Sequence, residues 1–330
     1  MEKKYTIDLH MHSSLSDGNE SPCEVVDTAA REGLKKICLT DHDGIHKNYD
    51  KVREYAKTKG VEVLPFMGTE VNTLYYDGLK PLVSVHMLVF GDDEKLKDER
   101  FVSMINKYFA HTNALAVHQY EMLPKIGVDL SYDDLFLIDP DVAPVYKQEM
   151  YCASYVMKMA AKKLGVPPQE LRAKYPDLFP YNLPSRSEFM RRVVDMPDTV
   201  EVIRVANELG LVTVMAHPSW LEWLWEGDQH LRNNTLAEKV IRELAAAGLD
   251  GLEAKHQEVV ADGAVELIQS LADELGLITT GGSDYHAEED YGNGLGVYGT
   301  SEEELAILME KIRERLTEYQ NKGYWGIYGK

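Results

Sequence analysis

The sequence predicts an α/β fold of parallel strand–helix units, closed as a barrel or open as a sheet, and interrupted by a mostly helical segment. Three observations predict it. Short apolar runs of strand character alternate with helical stretches that stop at glycine, in residues 5–90 and again in 199–319. Between them, residues 101–196 show helical patterning, many prolines and no convincing buried strand. Histidines and acids gather directly after the strand runs, where parallel α/β folds build their sites.

In chain order, residues 5–10 read as the first strand. Ser21-Pro22-Cys23-Glu24 is a capping box with proline at the first helical position, so a helix should follow and stop at Gly33. Residues 36–40 make a second strand, and a polar helix over 48–59 ends at Gly60. Residues 61–66 and 81–90 are further strands, with a turn at Asp77-Gly78 between them. Helical spacing over 151–164 marks the middle segment. The strand–helix rhythm then returns: a helix over 199–209 closed by Gly210, a strand over 211–216, a helix over 235–247 closed by Gly248, and a strand over 250–254. A helix over 263–275 closed by Gly276 and a strand over 277–280 complete it. Ser301-Glu302-Glu303-Glu304 caps a last helix reaching residue 319. The expected organisation is one body from 1–100 and 197–330, with 101–196 as a helical insertion shaping a cleft.

The 330 residues are 44% hydrophobic and 27% charged, which excludes collagen-like, low-complexity and disordered chains. A net charge of −20 argues against a duplex nucleic-acid face, because phosphate backbones need Lys and Arg. It leaves room for a small phosphorylated ligand, since bound cations reverse a local field. No apolar run approaches the roughly 18 residues that span a bilayer, and no signal-type stretch follows Met1-Glu2-Lys3-Lys4-Tyr5. Cys23, Cys38 and Cys152 read as reduced thiols. The expectation is a cytoplasmic protein with no membrane partner.

The chemistry concentrates after the strands. His10-Met11-His12 places two imidazoles on one side of a strand, able to meet one metal ion, although a surface pair gives the same spacing. Asp17-Gly18 follows. Thr40-Asp41-His42-Asp43 stacks ionisable groups on a turn, which is costly unless a ligand or a helix terminus compensates. Gly68-Thr69-Glu70 ends a third strand, and His86 lies in an apolar fourth. Met215-Ala216-His217-Pro218 and Gly281-Gly282-Ser283-Asp284-Tyr285-His286 follow later strands. Each alone has a bland structural explanation. Together, His10, His12, Asp17, His42, Glu70, His86, His217, Asp284 and His286 converge on one rim. These donors suit Mn, Fe or Zn, and nine of them exceed the needs of one ion, so two or three divalent ions are expected.

His10-Met11-His12, Thr40-Asp41-His42-Asp43, Glu70, Ala216-His217-Pro218 and Gly282-Ser283-Asp284-Tyr285-His286 resemble the ordered motifs of the polymerase and histidinol phosphatase (PHP) family of metal-dependent phosphoesterases. The resemblance implies a distorted (β/α)7 barrel and a trinuclear centre. Carried over, one ion takes His10, His12, Glu70 and Asp284, a second takes Glu70, His86 and His217, and a third takes Asp17, His42 and His286. The insertion resembles the branch acting on nucleoside monophosphates, 3′,5′-bisphosphates or short RNA 5′ ends. Tyr146-Lys147-Gln148-Glu149 stands where that branch commonly has Arg-Pro-His, and His118-Gln119 where it often has Arg-Asn.

The implied chemistry is hydrolysis of a small phosphate monoester, a nucleotide by preference, through in-line attack by a hydroxide held between ions. Glu70 bridges the ions that hold the hydroxide, while Asp17, His42 and His286 hold the phosphate-side ion. Asp8 and Asp41 would orient ligands, and Ser13 and Ser14 read as turn residues. Lys147, Arg186, Lys255 and His256 are candidate substrate contacts, and Trp220, Trp223 and Trp225 offer either a base-stacking wall or an apolar loop anchor. Histidinol-phosphate phosphatase and a 5′-to-3′ exonuclease on short oligonucleotides are the alternatives. An amidohydrolase is disfavoured because Glu70, and no lysine, holds the bridging place; a non-catalytic metal-stabilised module is disfavoured because every ligand position is filled.

Overall fold

Five consecutive buried residues, Ile7–Met11, form strand β1. Alternation along it sends Ile7 and Leu9 into a core with Cys38, Phe90, Val212 and Val214, and Asp8 and His10 to the opposite face. A computed structural model describes residues 4–13, 15–18, 20–46, 49–78, 80–130, 153–178, 196–223, 230–232, 234–286 and 295–328.

Helix α1 (Pro22–Glu32) begins with the expected capping box, in which Ser21 and Glu24 satisfy each other's backbone N–H groups, and it ends at Gly33 with φ 89°. Strand β2 (Lys36–Leu39), helix α2 (Tyr49–Lys59) and the two-residue strand β3 (Glu62–Val63) follow. Strands β1, β2 and β3 form a parallel three-stranded sheet in that order.

The next segment departs from the sequence expectation. Strand β4 (Met67–Asp77) runs straight through Glu70, and strand β5 (Lys80–Gly91) returns antiparallel beside it. Glu70 is therefore an interior residue of a long hairpin, and His86 lies on the returning strand opposite Asn72. The Asp77-Gly78 turn is where the sequence places it, with Gly78 at φ 66°. Strand propensity in residues 67–77 looks broken by Asn72 and by polar threonines, but two-sided burial makes them strand all the same.

Short helix α3 (Asp93–Leu96) leads into α4 (Glu99–Met122), α5 (Ala153–Leu164) and α6 (Pro168–Lys174). These helices share a small core of their own, including Leu123, Val128, Val156, Ala160 and Leu171. Helix α7 (Thr199–Leu209) and strand β6 (Val212–Met215) resume the strand–helix rhythm. Strands β7 (Trp220–Trp223) and β8 (His230–Arg232) pair antiparallel, where the sequence shows no strand signal. Helix α8 (Asn234–Ala246), strand β9 (Gly251–Lys255), helices α9 (Gln257–Ala261) and α10 (Val265–Leu275), strand β10 (Ile278–Gly281) and helix α11 (Glu302–Tyr328) complete the chain.

The second sheet has the order β10-β9-β6-β5-β7-β8, with β4 on β5. Its β10, β9 and β6 are parallel, and β5 is antiparallel to β6. The architecture is thus mixed α/β. Among the described residues the strands form two sheets, joined by isolated bridges Met11–Tyr285 and His42–Glu70. Both bridges lie beside candidate ligands, so the place where the sheets meet is also where the polar side chains meet. No helix among the described residues is long and apolar enough to cross a membrane. Cys38 is buried and Cys23 partly so; Cys152 lies outside the described residues.

Candidate metal centre

Strand β1 delivers His10 and His12 to the same side, and both rings are wholly buried. Glu70 reaches them from β4: its Oε2 lies 2.9 Å from His10 Nε2 and 3.0 Å from His12 Nε2. Asp284 follows β10 and brings Oδ1 to 3.1 Å from His12 Nε2 and 3.3 Å from His10 Nε2. The two Nε2 atoms are 3.1 Å apart. Donors about 2.1 Å from one shared ion sit about 3.0 Å apart in octahedral and about 3.4 Å apart in tetrahedral geometry. The spacing of these four side chains fits a single ion.

Glu70 turns its other oxygen the opposite way. Its Oε1 lies 3.1 Å from His86 Nδ1 and 3.3 Å from His217 Nε2. A third set contains Asp17, His42 and His286, with His12 at its edge. Asp17 Oδ1 is 3.2 Å from His286 Nε2, and Asp17 Oδ2 is 3.9 Å from His42 Nε2. His42 is also 3.4 Å from Glu70 Oε2, so the sets overlap. All nine residues singled out in the sequence come together in one cluster.

Ring partners set which nitrogen faces the cluster. His10 Nδ1 lies 3.0 Å from Glu253 Oε1, and a carboxylate accepts, so Nδ1 keeps its proton and Nε2 is the nitrogen left to meet an ion. His286 Nδ1 likewise donates to the carbonyl of Asp284 at 2.8 Å. In both rings Nε2 points into the cluster.

The electrostatics ask for positive charge. Burial alone would pull His10 and His12 down, but Glu70, Asp284 and neighbouring carboxylates outweigh it, holding His10 well above its usual range and pushing His12 up to about 10. Burial would raise Glu70 and Asp284, yet His10 and other imidazoles hold both carboxyls well below the usual range. His42 is pulled down to about 4 by burial, with too little help from Glu70 and Asp17. Protons on some imidazoles thus stand in for cations, and divalent ions would replace them. The donor set fits the ions that the sequence implied.

Backbone strain marks the same place. Among the described residues, the non-glycine residues with positive φ are Asp43 (49°), His217 (27°) and Asp284 (55°). Two are ligand candidates and the third follows one. Left-handed backbone at such residues costs of order 1–3 kcal/mol each and persists where the surroundings over-determine it.

The comparisons agree with this geometry. The PHP domain family matches residues 8–163, a stretch carrying His10, His12, Asp17, His42, Glu70 and His86. The chain carries a PHP domain over residues 8–163. It is a metal-dependent phosphoesterase, a hydrolase of phosphoric ester bonds. Three curated relatives match over most of the chain. A phosphoribosyl 1,2-cyclic phosphate 1,2-diphosphodiesterase of Eggerthella lenta is 26% identical, covering 85% of this chain and 94% of its own. A 5′-3′ exoribonuclease of Haemophilus influenzae is 27% identical, covering 87% and 91%. A 3′,5′-nucleoside bisphosphate phosphatase of Chromobacterium violaceum is 26% identical, covering 88% and 90%. The fold is shared with a Bifidobacterium adolescentis protein assigned as a metal-dependent phosphoesterase (24% identity, TM-score 0.65, 94% and 98% covered). It is also shared with a Chromobacterium violaceum structure described as an amidohydrolase with bound sulfate (22% identity, TM-score 0.64, 93% and 96% covered).

Around the PHP centre, several residues act that the sequence reading did not single out. Glu253, on β9, takes His10 Nδ1 and also accepts the His217 backbone N–H at 3.0 Å. Asn72 meets His42 Nδ1 at 3.1 Å and Asp43 Oδ2 at 2.7 Å; burial pushes the Asp43 carboxyl up to about 8. His46 Nε2 donates to Asp41 at 2.8 Å. Asp41, expected as an orienting group, also accepts from the Ser13 backbone and from the Ser13 and Ser16 hydroxyls, and so ties down the loop carrying Asp17. Asp8, also expected as an orienting group, accepts from the His10 and Ser283 backbones, and burial raises it to about 6. Alternation on β9 was the one signal that pointed to Glu253, since it is the acid on the strand preceding Lys255.

The candidate substrate contacts lie further out. Lys147, Arg186 and Trp225 are outside the described residues. Lys255 Nζ is engaged by Glu304 at 2.5 Å. His256 is wholly buried and faces Asp284, so its place is behind the cluster, not on the substrate's approach. Trp220 and Trp223 lie on β7, whose partner is β5.

Proposed function

We propose that this PHP enzyme hydrolyses a phosphate monoester of a small nucleotide, a nucleoside monophosphate or 3′,5′-bisphosphate, on a centre of two or three divalent ions. The observation that carries it is the double reach of Glu70, whose two oxygens face separate imidazole sets. One set, His10, His12, Glu70 and Asp284, would hold one ion; Glu70, His86 and His217 would hold a second, and Asp17, His42 and His286 a third. Ions so placed supply Lewis-acid chemistry, neutralising phosphate oxygens and making bound water a nucleophile near neutral pH.

Exposure gives the direction of approach. Side chains of His10, His12 and Glu70 are 0% exposed, whereas Asp17, His42 and His86 are 27%, 18% and 22% exposed. Substrate therefore enters over Asp17, His42 and His86, and the buried side of the cluster holds the attacking end of the reaction. Glu253 and the Asp284 carbonyl keep His10 and His286 oriented throughout. Residues 101–196 are read as an insertion bordering that entrance, with Lys147 and Arg186 as its candidate phosphate contacts. The bisphosphate phosphatase and exoribonuclease relatives support a nucleotide substrate; the Eggerthella lenta relative supports a cyclic phosphodiester as the second reading.

The test is a phosphate-release screen on protein chelated and then reloaded with Mn(II), Zn(II) or Fe(II). Its arms are nucleoside monophosphates, 3′,5′-bisphosphates, histidinol phosphate, 5′-phosphorylated oligonucleotides and a 1,2-cyclic ribose phosphate. Full activity after chelation would end the metal reading, and turnover confined to histidinol phosphate would end the nucleotide reading.

A further inference from the structure

His256 sits beside His10 and Glu253 in a group of donors close enough to suggest a further ion. Its tautomer argues otherwise. His256 is the N-cap of helix α9, with extended backbone at φ −122° and ψ 153°. Its Nδ1 accepts the backbone N–H of Glu258 at 3.1 Å. A backbone amide only donates, so Nδ1 must present its lone pair, and the ring proton belongs on Nε2. A nitrogen carrying a proton cannot ligate an ion. This is the reverse of His10 and His286, whose Nδ1 atoms donate and whose Nε2 atoms face the carboxylates of the cluster.

The proton on His256 has one evident use. Nε2 has no hydrogen-bond partner within reach in the wholly buried ring, and it faces Asp284 Oδ2 at 3.6 Å. The other oxygen, Oδ1, is the one turned to His10 and His12. Asp284 needs such support, because its backbone is held in the left-handed region at φ 55° and its N–H is tied to the His10 carbonyl at 2.9 Å. We propose that His256 is a positioning residue: the cap of α9 fixes its tautomer, and the resulting Nε2–H holds Asp284 Oδ2, reserving Oδ1 for the ion shared with His10 and His12. The small gap from 3.6 Å to a hydrogen bond closes with a slight turn of the carboxylate.

The proposal rests on the reading of the cluster as a metal centre, and Mn(II) binding tests both separately. Chelated wild type, His256→Asn and His256→Gln are each titrated with Mn(II) by equilibrium dialysis, and the thermal midpoints of the chelated proteins are compared. Asparagine is a strong N-cap but too short to reach Asp284. Glutamine keeps an N–H at the required distance and is a poor ligand for a divalent transition metal. Outer groups that orient ligands typically contribute 10–100-fold to metal affinity. The expected result is about 10–100-fold weaker Mn(II) binding in His256→Asn, with its thermal midpoint within about 2 °C of wild type, and recovery of most of the affinity in His256→Gln. Wild-type affinity in His256→Asn overturns the proposal. Equal loss in His256→Gln also overturns it, in favour of direct ligation. A wild type that binds no Mn(II) removes the metal centre itself, and this inference with it.

Discussion

Replacing Glu70 by glutamine keeps its shape and removes one buried charge. The carboxylate Oε2 lies 2.9, 3.0 and 3.4 Å from His10, His12 and His42, and Oε1 lies 3.1 and 3.3 Å from His86 and His217. One side chain therefore serves two donor sets. Unit charges about 4 Å apart attract by about 4 kcal/mol at an effective dielectric near 20, which is about a thousandfold in affinity. A divalent ion in contact feels at least that much. Glu70→Gln should weaken Mn(II) binding at two positions by about 10³-fold and lower phosphate release at least as far. The metal-free fold should survive, because the imidazoles that Glu70 keeps protonated can shed their protons once it is gone. Equilibrium dialysis against Mn(II), alongside the phosphate-release assay, measures both effects. Metal binding and turnover each within tenfold of wild type would refute the bridging role.

Metal loading should release protons. In the metal-free protein His12 titrates near 10: burial pulls it down, but hydrogen bonds to Asp284 and Glu70 win. That proton stabilises the metal-free fold fully below the ordinary value of 6.5, and the stabilisation is lost as pH rises through about 10. At pH 8 an arriving ion must displace it, so affinity should climb with pH across that window; calorimetry in two buffers of different ionisation enthalpy should show a buffer-dependent heat. Gly282→Ala should disturb the centre from behind, because an added Cβ would lie 2.3 Å from His10 Cβ and 2.8 Å from His10 N. The expected outcome is about 1–3 kcal/mol of lost stability in denaturant melts, together with weaker Mn(II) binding. Arg315→Met should strand the buried Asp250 carboxylate, which now accepts from Arg315 Nε at 3.0 Å and Nη2 at 2.6 Å. The loss should be about 3 kcal/mol, the low end for a broken buried pair, because Lys311 stays within 3.8 Å; metal content should be unchanged.

The ligand set was legible because each ligand sits in a short local pattern. His10 and His12 share a strand face by alternation alone, and Asp284 and His286 follow a strand within five residues of it. The strand–helix rhythm was legible for the same reason: capping box, apolar period and glycine stop are all local, and α1, α7 and α10 fall where they predict. The β4–β5 hairpin was legible only at its turn. Nothing local says that β4 continues through Glu70 and Asn72, because polar residues enter a strand there only when a partner strand and a buried site receive them.

By itself, then, the sequence determined the types of side chain available and the elements that carry them. Only the tertiary structure decided which oxygen of Glu70 faces which imidazole, that Glu253 lies against His10 across 243 positions of chain, and that Asp41 gathers Ser13, Ser16 and His46. The physical reason is range. Alternation and capping act over a few residues, whereas a ring's tautomer and a buried carboxylate's charge depend on whatever the fold brings within about 3 Å.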